Sequence, residues 1–372
     1  MPVNPSRDRV MFQCITFERI GEIKRLHPLV YDYYSDHLSN RIDHLADCPD
    51  IMQSFPFVHY LTIENRIVST CLAIPDKVSA YGNTYPWAWA GALMTDPNYR
   101  GMGLATRLIT EMAAVLNGRG IAWGGVFSTQ RALRIYKKLN FIIPGVANRY
   151  LFAKTAVPLT SLFYKENLCV SLFDNIYRGF AKFFMSLVYK RKAAEMIEVV
   201  EHGPGGYTNA FVRRDGMAET ASFYFNSSSA KMNWKVSSTH NNVVHLIKDK
   251  AHNRVVGHII VNEHTNTRRI RNMCPTFTVM TIMDYCMYDD ADDYHTLMTA
   301  VFTLFRKSKS DVLEIISSSH GLNRFLARKG MLLMGGMSFT FKVPEEWRWD
   351  NECTKLNNWR LTHFDGDAYS FY

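Results

Sequence analysis

At 372 residues the chain is longer than one hydrophobic core usually serves, so two domains are expected. Hydrophobic residues at 47% and aromatics at 13% exclude a disordered chain. The formal net charge of +9 favours anionic partners, yet the basic residues form neither a long run nor a nucleic-acid motif. A small phosphorylated partner fits that balance better than nucleic acid. The seven cysteines are scattered, with no Cys-x-x-Cys or Cys/His ligand spacing. Reduced thiols in a cytoplasmic protein are therefore expected, without a disulfide framework or a metal. The first residues lack the apolar core of a signal peptide, and no uncharged apolar run approaches membrane-spanning length.

In chain order, residues 11–18 alternate as a first strand, and 18–40 read as helical, broken at His27-Pro28. Phe57–Ile63 and Ile67–Ile74 read as strands joined by the turn Glu64-Asn65-Arg66. Tyr81–Thr84 is a second turn, and Trp87–Met94 is an apolar strand. Asp96-Pro97-Asn98 is a turn cluster, because Pro fixes φ and Asp or Asn bonds the local backbone. After Gly103 a helix places Leu104, Leu108, Ile109, Met112 and Leu116 along one face. Gly118-Arg119-Gly120 ends it. Ile121–Ser128 reads as a buried strand. The helix that follows, Thr129–Leu139, carries Ala132, Ile135, Tyr136 and Leu139 on one face.

Between strand and helix lies Arg100-Gly101-Met102-Gly103. A glycine-bearing turn at a helix start presents free backbone N–H groups and the positive dipole end, which suits a phosphate. Those residues alone leave plain turn chemistry equally open. The wider pattern is more specific. Arg100-x-x-Gly103-x-Ala105 after Asp-Pro-x-Tyr-Arg resembles the acyl-CoA-binding motif of the GNAT N-acyltransferase superfamily. The stretch Ala132–Phe141 resembles that family's closing helix and strand. Together the two motifs cover roughly residues 10–155.

The resemblance implies an α/β fold with a mixed, mostly antiparallel twisted sheet flanked by helices. It implies acyl-CoA (acetyl-CoA or a short-chain acyl-CoA) as co-substrate, held by Leu93, Met94, Arg100, Gly101, Met102, Gly103, Leu104, Ala105 and Thr129. A backbone N–H near Met94 would polarise the thioester carbonyl. Tyr136 matches the family tyrosine that protonates the departing thiolate. Two positions depart from the pattern: Thr129 replaces a common asparagine, and Asn140 the usual glycine before Phe141. Thr129 still offers a hydrogen bond, and Asn tolerates a left-handed backbone. No pattern identifies a general base; Asp36, His37, Asp96 and Asp284 are candidates by position.

Residues 153–192 read as an amphipathic basic helical segment, and Gly203-Pro-Gly-Gly206 is a break. The second half reads as a weak repeat of the first. It has strands at Val243–Lys248 and Val255–Val261, an apolar run Phe277–Met287, and a helix His295–Lys307. A strand at Val312–Ser317 and a helix Leu322–Lys329 follow. Its cofactor turn is missing, with Tyr288-Asp-Asp-Ala-Asp-Asp293 at the matching place and Leu326 opposite Tyr136. Clustered carboxylates repel a pyrophosphate.

Residues 1–155 are therefore expected to be the catalytic domain, 156–205 a helical linker, and 206–372 a degenerate GNAT-like domain that shapes the acceptor site. The C-terminal stretch has a weak likeness to enzymes acting on nucleotide-linked amino sugars. The expected activity is acyl transfer to a primary amine of such a sugar, for surface polysaccharide synthesis. A peptide, protein or aminoglycoside-like amine, or a non-catalytic acyl-CoA-binding role, is the alternative. A cytoplasmic monomer or homodimer, without nucleic acid or a membrane span, is expected.

Overall fold

The computed structural model describes residues 10–19, 54–127, 130–154, 195–202, 223–225, 229–237, 242–267, 276–288, 293–347, 349–362 and 365. The first half runs β1 (Val10–Thr16), β2 (Pro56–Ile63), β3 (Arg66–Ala80), β4 (Asn83–Thr95), α1 (Leu104–Asn117), β5 (Ala122–Phe127), α2 (Gln130–Lys138) and β6 (Ile142–Ala153). The second begins with β7 (Ile197–His202), β8 (Phe223–Phe225), α3 (Ser229–Ser237), β9 (Asn242–Asp249) and β10 (Arg254–Thr267). It continues with β11 (Thr276–Met287), α4 (Tyr294–Lys307), β12 (Val312–Ser317), α5 (His320–Arg328), β13 (Leu332–Lys342) and β14 (Trp359–Arg360). The helices expected at 18–40 and 153–192 fall almost wholly outside the described residues. Among the described residues no helix is long and apolar enough to cross a membrane.

The fold is α/β, and one mixed sheet runs through both halves in the order β1-β2-β3-β4-β5-β13-β6-β12-β11-β10-β9-β7. Strands β4/β5 and β11/β12 pair in parallel, and their neighbours along that path are antiparallel. The closing strands exchange partners. β13, from the second half, pairs with β5 of the first, and β6, from the first, pairs with β12 of the second. Hydrogen bonds thus cross between the halves on both sides of β13, which local pattern in the sequence does not show.

Local chemistry explains the elements that position the site. The β2–β3 turn sets Glu64 at φ 49° and Asn65 at φ 64°, the left-handed pair a tight hairpin needs. α1 buries all five apolar residues read from the spacing. β3 extends past the expected Ile74 because Pro75 to Ala80 keep pairing with β4. Trp87 and Trp89 of β4 pack on Phe225, Phe339 and Trp359, so the C-terminal stretch completes the core of the first half.

α3 ties the halves together through buried charge. Lys231 Nζ donates to Asp76 Oδ1 at 2.6 Å and to Pro75 O at 3.0 Å, and Trp89 Nε1 donates to Asp76 Oδ2 at 2.9 Å. Lys235 Nζ lies 3.8 Å from the same carboxylate. Burial pushes the Asp76 carboxyl up, but the two ammoniums and these hydrogen bonds hold it below its usual range.

Candidate active site

β4 and β5 pair only from Trp87↔Ala122 to Trp89↔Gly124, and beyond that rung they part. The cause is visible on the other edge of β4. Leu72 faces Gly91 and Thr70 faces Met94, so β4 has one residue more than β3 across this interval. Ala92 absorbs the extra residue at φ 48°. A bulge of this kind bends the strand and ends regular pairing. Ser69 Oγ donates to Met94 O at 2.7 Å, and Asp96 N donates to Val68 O at 2.9 Å. Residues 94 and 96 therefore direct their main-chain groups toward β3, and alternation turns those of Leu93 and Thr95 to the open side. Arg100 Nε, reaching Thr95 O at 3.4 Å from that side, agrees.

The turn after β4 is braced before it reaches the glycines. Asp96 accepts from Asn98 N at 2.9 Å and from Arg66 at 3.0 Å. Gly101 and Gly103 adopt φ 86° and 76°. A Cβ at either would meet no atom within 4 Å, so it is the left-handed backbone, not crowding, that calls for glycine. Gly103 is also the N-cap of α1, and it offers no side-chain oxygen to the first-turn amides. The first intrahelical bond runs from Arg107 N to Gly103 O at 3.0 Å. The amides of Leu104, Ala105 and Thr106 thus have no side-chain cap, the arrangement that binds an anion.

These parts enclose one cavity of about 670 Å³. Of the residues singled out from sequence, Leu93, Met94, Arg100, Gly101, Gly103, Leu104 and Ala105 line it. Met102 instead packs against the core. Thr129 lies outside the described residues, as do Asp36 and His37. Tyr136 is wholly buried on α2, with ring centroids 4.9 Å from Phe141 and 6.2 Å from Trp123. Its neighbours Ala132 and Ile135, with Arg131, form the second wall. Asp284 is buried on β11, 3.5 Å from His258 Nε2. Sequence reading missed the β3 wall, Ile67 to Thr70, because that wall follows from the bulged register with β4. Asn140 adopts φ 58°, the left-handed backbone expected of it.

Residues 23–141 match the acetyltransferase (GNAT) family model. No curated protein matches the sequence. Among solved structures, the fold is similar to a GCN5-related N-acetyltransferase from Anabaena variabilis. That match has TM-score 0.57 at 14% identity, covering 91% of this chain and 74% of the other. It is also similar to Saccharomyces cerevisiae N-myristoyltransferase with bound myristoyl-CoA. Here the TM-score is 0.59 at 10% identity, covering 92% and 86%. A probable N-acyltransferase from Enterococcus faecalis gives TM-score 0.56 at 12% identity, covering 91% and 73%. At such identities these likenesses speak for the fold, and the family match speaks for the domain. Residues 23–141 thus match the acetyltransferase (GNAT) family, and the chain shares its fold with solved N-acyltransferases.

Proposed function

We propose that the chain transfers a short acyl group from acyl-CoA to the primary amine of a nucleotide-linked amino sugar by direct attack. The observation that carries this reading is the meeting, in one cavity, of a splayed β4 edge and the uncapped glycine start of α1. The amides from Gly101 to Ala105 would take the pyrophosphate, with Arg100 beside them. Thr129 would bond the pantetheine arm. Because Met94 turns its main chain toward β3, we assign the carbonyl-polarising N–H to Leu93 in its place.

The amine nitrogen attacks the thioester carbon while the carbonyl oxygen gains charge at the Leu93 N–H. Collapse expels the CoA thiolate, the Tyr136 hydroxyl supplies its proton, and the proton that the adduct nitrogen loses to solvent water is balanced by one that returns to the Tyr136 phenolate. Holding amine and thioester together contributes much of the rate. We take the acyl chain to be short because Trp89, at the last β4/β5 rung, is packed against Phe225 and Phe339, each at most 1% exposed. In this reading residues 1–155 bind the cofactor and 206–372 shape the acceptor site. Thiol release from acetyl-CoA with a UDP-linked amino sugar, an aminoglycoside and a peptide amine tests the function. Turnover with the nucleotide-linked sugar is expected, and turnover with the peptide alone would replace that acceptor.

A further inference from the structure

The splayed end of β4 is held by one small side chain to which the acyl-transfer chemistry gives no role. Ser69, on β3, is 2% exposed and stands opposite Thr95 in the wall of the cavity. Its Oγ lies 2.7 Å from Met94 O and 3.1 Å from Thr95 Oγ1. A serine hydroxyl has one proton, and a carbonyl oxygen can only accept. The Ser69 proton therefore goes to Met94 O, and the Thr95 hydroxyl donates to Ser69 Oγ. Proton count alone thus sets the direction of both bonds, from Thr95 to Ser69 and from Ser69 to the main chain of β4.

That main chain lies just past the bulge. Ala92 absorbs the extra residue at φ 48°, a backbone that a residue with a side chain keeps only where its surroundings hold it. No β5 rung does so, because the parallel pairing ends at Trp89↔Gly124. On the other edge, register with β3 resumes at Thr70↔Met94, two residues beyond Ala92. Ser69 grips Met94 O there, and Val68 O takes Asp96 N at 2.9 Å two residues later. The Ser69 bond is the nearer of the two to the bulge. With Met94 held toward β3, alternation turns the Leu93 N–H outward. A slip of one residue at Met94 would reverse it.

We propose that Ser69 is a positioning residue for acyl transfer, which keeps the Leu93 N–H aimed at the thioester carbonyl. The proposal rests on the acyl-transfer reading above. Ser69 touches no reacting atom and acts through Met94 O and the bulge. Thr95 supports it, because the proton it donates leaves the Ser69 hydroxyl turned toward Met94 O. Without the Ser69 hydroxyl, Met94 O loses a hydrogen bond and the strand end is free to leave the register that faces Leu93 outward. Stabilising the charge that develops on the carbonyl oxygen needs a donor already fixed in place, so a loosened strand slows the chemical step. The pyrophosphate on the turn from Gly101 to Ala105 still holds the acyl donor, so its affinity changes little.

Infrared spectra of acetyl-CoA, isotope-labelled at the thioester carbonyl and bound to the full chain without an amine, test this. A hydrogen bond to the carbonyl oxygen lowers its stretching frequency. Wild type should lower the band relative to free acetyl-CoA. Ser69→Ala should lose at least half of that shift, and Thr95→Val a smaller part. With the UDP-linked amino sugar, Ser69→Ala should lower kcat at least tenfold while KM for acetyl-CoA stays within twofold. Melting curves identify a Ser69→Ala protein that has lost its fold, in which case the Thr95→Val band decides. A wild-type band at the free position, an unchanged band in the variant that decides, or a kcat loss matched by an equal loss of acetyl-CoA affinity would each overturn the proposal. A wild type that lowers the band but releases no thiol with any amine would sink the acyl-transfer reading, and the Ser69→Ala band alone would then judge Ser69.

Discussion

In the first half the parallel pair β4/β5 ends at Trp89↔Gly124, and in the second the pair β11/β12 ends at Ile282↔Ile315. Each central strand is bulged just beyond its last rung: Ala92 takes the extra residue on β4, and Met283 does so on β11. Among the described residues the first parting is open. The second is filled by the chain's own C-terminal stretch. Arg360 donates to Tyr285 O at 2.6 Å and stands over the Tyr285 ring at 5.2 Å. Ser318 Oγ donates to Trp359 O at 2.6 Å and accepts from Leu361 N at 2.8 Å. Tyr285 and Ser318 each lie three residues past the last rung, so the stretch bridges the two diverging strands.

The helix starts differ in the same sense. α1 begins at Gly103 with no side-chain cap, whereas α4 begins at Asp293, whose Oδ1 accepts from Thr296 N at 3.0 Å. The rest of the acidic run, residues 289–292, lies outside the described residues. The comparison teaches that one strand–bulge–helix frame can serve either purpose. On the proposed function, cofactor capacity depends on whether its amide edge and helix start are vacant or already satisfied from within the chain.

Four substitutions break or sharpen this contrast. The largest effect is expected for Trp359→Ala, which removes a 1% exposed ring shared by both halves. Denaturant unfolding should show a loss of about 3–5 kcal/mol. If the variant stays folded, calorimetry should still find one acyl-CoA per chain, since Asp293 still caps α4. Two bound would mean that the C-terminal stretch alone closes the second parting.

Next comes Gly103→Asp. The left-handed backbone at φ 76° costs a side chain about 1–2 kcal/mol, and the new charge faces the pyrophosphate. Acyl-CoA affinity should fall at least ~100-fold, about 2.8 kcal/mol, with the fold intact. Unchanged affinity in a folded variant would remove the site from this turn.

Tyr136→Phe has a smaller expected effect. General-acid catalysis is worth roughly 10²–10⁴ in rate where it operates fully. Turnover should fall at least ~10-fold, about 1.4 kcal/mol, with acyl-CoA binding unchanged and about 1 kcal/mol or less lost in stability. A variant with wild-type turnover would leave Tyr136 as a packing residue between Phe141 and Trp123. The smallest change is expected for Asp293→Ala. Loss of a cap costs about 1 kcal/mol, read from the melting curve, and acyl-CoA stoichiometry should stay at one. A second bound cofactor in this variant would show that the cap is what closes the second half.

Much of the first half was legible because its signals are local. The spacing of Leu104, Leu108, Ile109, Met112 and Leu116 follows from helix geometry alone, and all five are buried. Gly101 and Gly103 announce a left-handed turn because few other residues tolerate that backbone. The strand–turn–helix order therefore pointed to most of the residues that line the cavity. Leu93 and Met94 both line it, and the sequence could not say which of them turns its main-chain groups toward it. That depends on a bulge at Ala92, where a single added residue reverses which main-chain groups face outward.

The sequence by itself determined the period of each helix and strand, the glycine turn, and the repeat of one pattern in two halves. Each follows from the conformational preferences of a few adjacent residues. Tertiary structure alone decided that β13 enters the sheet between β5 and β6, which joins residues some two hundred positions apart. It also decided that Tyr136 is buried between Phe141 and Trp123, and that Arg360 and Leu361 fill the second parting. Such contacts carry no local signature. Partners in a sheet or core are chosen by which surfaces remain to be buried once the local elements have formed.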